Sequence, residues 1–175
     1  MRLLHGADEL RPIFATAQRS AFHLETRDDY ASESESESLT TFRVDETIDP
    51  GGEWFSGWTN HVSATVARGV AVRRARIVTE PHTLYTRYLL ALSRHNVEAG
   101  EDIRYLARHD ADPSDSATED FWLFDERAVA FSLLDARGFW AGAALTDEPV
   151  IVAHAVAVRD RVWAAATPFE EYRGQ

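Results

Sequence analysis

A chain of 175 residues, 45% of them hydrophobic, is long enough for one domain with a sizeable buried core. It has no Cys, and all 18 of its basic residues are Arg. That excludes disulfides, thiolate nucleophiles, Cys-ligated metals, Schiff bases and phosphate loops built on Gly-Lys-Ser/Thr. The net charge of −11 argues against direct nucleic-acid binding, which relies on neutralising phosphates. No apolar run approaches the roughly 20 residues of a membrane span, and the first residues lack a signal peptide's apolar core, so a cytoplasmic location is expected.

In chain order, Asp8 is placed to cap a helix carrying Leu10, Ile13, Phe14 and Ala17 at helical spacing. Ala21–Thr26 is a short apolar run, either a strand or a helix end. Ser32–Phe42 reads as a polar helix opening on an alternating Ser-Glu run, which has the composition of a solvated face. The loop Asp49-Pro50-Gly51-Gly52 follows. Over Glu53–Arg68, Trp54, Trp58, Val62 and Val66 recur every four residues, an amphipathic helix stopped by Gly69. Val70–Val78 is a predicted strand with Val72, Arg74, Arg76 and Val78 on one side. Thr83–Glu98 is a second strong helix, Ile103–Ala107 a strand and Asp110–Ala117 a polar loop. Phe121–Phe124, Ala128–Leu133 and Phe139–Leu145 make three consecutive strands, and Pro149–Thr167 a closing helix. The order predicts an α/β fold, a mixed sheet flanked by helices. Residues 44–53 offer the best boundary, dividing a helical N-terminal extension (1–52) from the α/β body (53–175).

Four constellations carry chemistry. Arg74, Arg76, Glu80, Arg87, Glu101 and Arg104 are expected to converge at the carboxyl edge of the sheet, where open α/β folds bind ligands. Guanidinium forks there suit a small anionic ligand. The same residues also fit an internal network of Arg76, Glu80, Arg87 and Glu101. The run His23–Tyr30 packs an imidazole, three carboxylates, Arg27 and a phenol into eight residues, with His23 and Glu25 suited to acid–base work. In Phe121–Phe124 and its flanks, Asp120 and Trp122 share one face, while Asp125 starts a turn. Asp120 with Glu101 is a second option, a carboxylate pair for a cationic ligand or metal. The ligand spacing of a metal site is lacking, and no metal or other cofactor is expected. Trp54 and Trp58, with Trp122, Trp140 and Trp163, read as core, or as a stacking platform if exposed.

The segment Thr118–Asp125 has the frame of a phosphodiesterase strand, His-x-Lys followed by Asp, with Thr118 and Asp120 in place of the His and Lys and only Asp125 retained. From Glu53 onward the chain resembles a degenerate phospholipase-D-like half domain. That resemblance implies pairing into a homodimer. It implies no phosphodiesterase activity, because Asp120 puts negative charge where phosphate would sit. Spaced blocks, among them Ser20–Tyr30, Arg74–Pro81, Tyr85–Tyr88 and Ala99–Arg104, resemble an uncharacterised actinobacterial domain-of-unknown-function family whose members often accompany helix-turn-helix regulators. The resemblance implies a regulatory role with such a regulator as partner. Non-catalytic binding of a small anionic ligand or a protein partner is the leading expectation. The alternative is an enzyme whose site is rebuilt from His23, Glu25, Arg76, Arg87, Glu101 and Asp120 for hydrolysis or group transfer on an anionic substrate.

Overall fold

The computed structural model describes residues 1–174, except the side chains of Ala7 and Asp8. The expected cap, Asp8, thus lies outside the described residues; the N-cap position is held by Gly6. Eight strands form one sheet: β1 Arg2–Leu4, β2 Ser20–Glu25, β3 Ala71–Val78, β4 Asp102–Ala107, β5 Phe121–Phe124, β6 Ala128–Leu134, β7 Trp140–Thr146 and β8 Thr167–Pro168. Their order across the sheet is β1-β7-β6-β5-β2-β3-β4-β8. β2, β3 and β4 run parallel, and the other pairs run antiparallel. The helices are α1 Ala7–Thr16, α2 Ser36–Val44, α3 Glu53–Ala67, α4 Leu84–Glu98, α5 Pro113–Ser116, α6 Pro149–Ala165 and α7 Phe169–Tyr172.

The expected mixed α/β class is what the chain adopts, but residues 1–52 are not a helical extension. They supply β1 and the central strand β2, which lies between β3 and β5. The reason is the alternation within β2. Phe22 and Leu24 enter one core, while Ala21, His23 and Glu25 point to the other face. A strand covered on both sides belongs inside a sheet.

On the first face, Phe22, Leu24, Ala75, Ile77, Leu106 and Phe121 pack under the α6 side chains Val152, Ala155, Val158 and Val162. Full burial of a Val, Leu, Ile or Phe side chain stabilises by about 1.5–3 kcal/mol. The second face is covered by α1, α3 and α4. Phe14 meets Trp58, Trp122 and Phe124 there in edge-on contacts. Val62 of α3 is fully buried, as its helical spacing predicts. Thr83 caps α4 by accepting from the Thr86 N–H at 3.1 Å. The helix expected over Ser32–Phe42 begins later, at Ser36, because Tyr30–Ser34 runs across this face; its Ala31 N–H donates to the Gly138 carbonyl at 3.1 Å.

The turn after β5 is tied back to β2. The Asp125 carboxylate accepts from the N–H groups of Gln18, Arg19 and Ser20 at 2.7–2.9 Å. It also adopts φ 53°. Asp125 therefore ends its strand and starts a turn, and it sets the height at which β2 enters the sheet.

Candidate functional site

Register alone brings the candidate residues together. His23 of β2 is paired with Arg74 of β3 on one side and Trp122 of β5 on the other. One step along the same face, Glu25 is paired with Arg76, which is paired with Tyr105. Side chains two apart on a strand share a face, so His23, Glu25, Arg74, Arg76 and Trp122 form a patch in the middle of the sheet. This corrects the expected placement at the carboxyl edge.

Above the patch is a cavity of about 450 Å³. Trp54, Phe55 and Trp58 of α3 form one wall, and Tyr85, Leu89 and Leu92 of α4 another. Tyr30, Ala31, Ser32, Ser34, Glu35 and Trp140 complete the lining on the remaining side. A smaller cavity of about 240 Å³ shares His23, Trp122, Ser132 and Trp140 with it.

Both guanidiniums of the floor are already matched. Glu25 bridges Arg74 and Arg76, accepting from both. Arg74 also donates through Nε to Glu101 at 2.7 Å. Its guanidinium lies 5.5 Å from the Trp58 ring centroid and 5.7 Å from that of Trp122. Arg76 donates further to Ser93 at 2.6 Å and Tyr105 at 2.9 Å. Burial works to raise the Glu25 carboxyl, but Arg74 and Arg76 outweigh it and hold it far below the usual carboxylate range. For His23, burial and then the Arg74 charge act together and lower its pKa to about 3. Neutral His23 accepts at Nδ1 from Arg74 at 3.0 Å and stacks on Trp122 at 4.2 Å between ring centroids. Its proton therefore sits on Nε2, a buried atom with no hydrogen-bond partner.

Two other carboxylates face the cavity without a guanidinium in contact. Asp120 accepts from the Thr26 N–H at 2.8 Å, the Thr26 hydroxyl at 2.9 Å and the Tyr30 hydroxyl. Glu35 accepts from the Tyr85 hydroxyl at 2.8 Å. The Tyr30 and Tyr85 rings lie 6.0 Å apart, which sets the two carboxylates either side of a phenol pair. Burial raises the pKa of both carboxyls.

The remaining candidates lie elsewhere. Glu101 is buried behind Arg74 and also accepts from Asn96 at 2.6 Å, so it does not pair with Asp120. Arg87 is an exposed partner of Glu46, at 2.7 and 2.8 Å. Arg27 pairs with Glu119 on the surface at 3.1 Å. Glu80 accepts from Tyr172 at 2.5 Å. Arg104 points to the opposite face, where it sits 4.2 Å from the Trp163 ring centroid and donates to the Trp163 carbonyl. The expected network of Arg76, Glu80, Arg87 and Glu101 is thus a different one, Arg76–Glu25–Arg74–Glu101. Among the described residues, no group of three or more His, Asp or Glu side chains converges as metal ligands would.

Sequence reasoning missed Glu35, Tyr85 and the role of Trp54, Trp58 and Trp140 as cavity wall. Helical spacing did show that Trp54 and Trp58 face inward. It did not show that the space they face is left unfilled.

No curated protein matches the chain in sequence. Among solved structures, its fold is similar to that of TrmBL2, an archaeal chromatin protein whose structure shows a novel mode of DNA binding. The likeness has a TM-score of 0.54 at 13% identity and covers 95% of this chain and 52% of that one, so the chain spans about half that protein's length. At this identity the likeness is one of fold. It nevertheless overturns the expectation, drawn from the acidic balance, of no direct nucleic-acid contact. Net charge sums over a whole surface, whereas phosphate contact is local. Among the described residues, no helix is long and apolar enough to cross a membrane. With a model matching residues 8–174, the chain belongs to the family described as Domain of unknown function (DUF6879).

Proposed function

We propose that this is a non-catalytic, phospholipase-D-like domain that binds a small molecule in its aromatic cavity and serves a regulatory role. The observation that carries the reading is the cavity itself. Its 450 Å³ falls in the range of small-molecule sites, and its lining combines aromatic walls with convergent polar and charged groups. Two of those groups, His23 Nε2 and Asn96 Oδ1, are buried without partners. An unpaired buried polar atom costs about 1–3 kcal/mol, which a ligand can recover. Thr118, Asp120 and Asp125 support the non-catalytic part: the Thr118 carbonyl accepts from Thr26, Asp120 is engaged by Thr26 and Tyr30, and Asp125 is engaged by backbone. The rebuilt enzyme site needed Arg87 and Glu101 in the cavity, and neither lines it.

The test is a thermal-shift screen across amines, phosphates, nucleotides, sugars and amino acids, run on the native protein and on Ser132→Phe. A native-state ligand raises the melting temperature by mass action. The added ring of Ser132→Phe fills the cavity, so a shift seen only in the native protein is the expected result. Equal shifts in both proteins, or no shift with any class, would sink the reading.

The fold shared with a DNA-binding chromatin protein favours a second reading, direct contact with DNA. Titration of a labelled duplex at low salt tests it. Binding that weakens with salt, with a slope counting the phosphates neutralised, supports it; flat anisotropy refutes it.

A further inference from the structure

Resting on the reading of the cavity as a ligand site, we infer that its ligand is an organic cation, a protonated amine carried on an apolar body. The charges on the walls point to a cation. Arg74 and Arg76 are the only basic side chains with a permanent charge among the lining residues. Their guanidiniums face Glu25 and Glu101. Glu35 and Asp120 then remain as carboxylates with no cationic partner in contact, answered only by the hydroxyl and N–H groups of Tyr85, Tyr30 and Thr26. His23 adds no charge, since its imidazole is neutral at ordinary pH. The lining therefore has one more carboxylate than guanidiniums, and Glu101, buried behind Arg74, makes the excess two for the cavity and its floor network together. An anion entering it would be repelled, while a cation would supply what Glu35 and Asp120 lack.

Three further features fit an amine. Asn96 is 2% exposed and lines the cavity; its Nδ2 donates to Glu101, which leaves Oδ1 as an orphan acceptor for an N–H. Rings of Tyr30, Trp54, Trp58, Tyr85, Trp122 and Trp140 offer the faces to which an ammonium is drawn. Burial holds the Glu35 and Asp120 carboxyls above their ordinary pKa, the state of carboxylates still without a counter-ion.

The experiment is isothermal titration calorimetry with one skeleton in three charge states: phenethylamine, 2-phenylethanol and phenylacetate. The amine is expected to bind at least about tenfold tighter than the other two. Glu35→Gln keeps an oxygen for the Tyr85 hydroxyl and removes the charge; Asp120→Asn also removes the charge, keeping an oxygen for Thr26 and turning its NH2 toward the Tyr30 hydroxyl, which can accept. Each variant is expected to lose about tenfold in amine affinity while leaving 2-phenylethanol unchanged. Equal binding of the three compounds, or tightest binding of phenylacetate, overturns the cation while leaving the cavity as a ligand site. An amine preference that persists in both variants also overturns it. If phenethylamine, tryptamine, agmatine and spermidine all fail to bind up to millimolar concentration, the inference falls with them.

Discussion

His23 shows how one residue is committed by its neighbours. Protonating its imidazole would set a third cation beside Arg74 and Arg76, with only Glu25, at 3.3 Å, as compensation. The folded pKa is about 3 against an ordinary 6.5, so the folded state refuses a proton that the unfolded chain accepts. The sign follows from linkage. Stability from this group is complete above pH 6.5 and falls as pH drops toward 3, by up to about 1.4 kcal/mol per pH unit. Glu25, held low by the same guanidiniums, adds to the loss only below its ordinary value of 4.5. Glu35 and Asp120, held high by burial, act in the opposite sense. His61 and His82 are also lowered, so the measurement must be a difference. In urea unfolding across pH 4.5–7.5, His23→Gln is expected to flatten the acid limb by about one proton's worth of slope. Parallel curves for the two proteins would show that His23 takes up its proton in the fold at the same pH as in the unfolded chain.

The elements were legible wherever a strong period had one apolar face to bury. The spacing of Trp54, Trp58 and Val62 gives α3, and the alternation through Arg74 and Arg76 gives β3 with both guanidiniums on one side. Short elements were not legible. β1, with three residues, is defined by pairing with β7, and the close approach of the Leu4 carbonyl to Gly142 leaves no room for a Cβ there. β8 and α7 likewise exist through contacts with β4 and the Tyr105–Tyr172 stack. For the site, Arg74, Arg76, Asp120 and Trp122 could be named because alternation places them on faces, and His23 and Glu25 because one short run concentrates an imidazole and carboxylates. Glu35 could not, because its partner Tyr85 lies 50 positions away on α4. Arg87 and Glu80 were misplaced for a related reason. Closeness in sequence to a strand end does not fix which way a helix or loop side chain turns.

Across the whole molecule, the segment between β2 and α3 is fastened differently from the sheet it covers. Its ties are mostly polar side-chain contacts with distant parts of the chain: Asp28 to Thr79, Tyr30 to Asp120, Glu35 to Tyr85, Glu46 to Arg87, and Asp49 to His95. Phe42 is its one large side chain in the buried core, with Tyr30 and Leu39 partly covered. Exposed ion pairs such as Glu46–Arg87 contribute little, about 0–1 kcal/mol. The sheet strands β2 and β3, by contrast, bury one face in a continuous apolar core and hold Glu25, Arg74 and Arg76 of the other in a buried ion-pair network. A segment with few apolar anchors opens at a lower free energy than the whole fold. Amide hydrogen exchange should therefore show residues 29–41 exchanging much faster than 21–25 and 72–78 in the free protein. A ligand held between Glu35 on this segment and Asp120 on the sheet binds only the closed form, so it should slow 29–41 selectively, in proportion to its occupancy. Uniform slowing across the chain would mean that the ligand stabilises only the global fold. Free-protein rates at 29–41 as slow as those of β3 would mean that the cover opens only when everything unfolds, and a ligand would then need another way in.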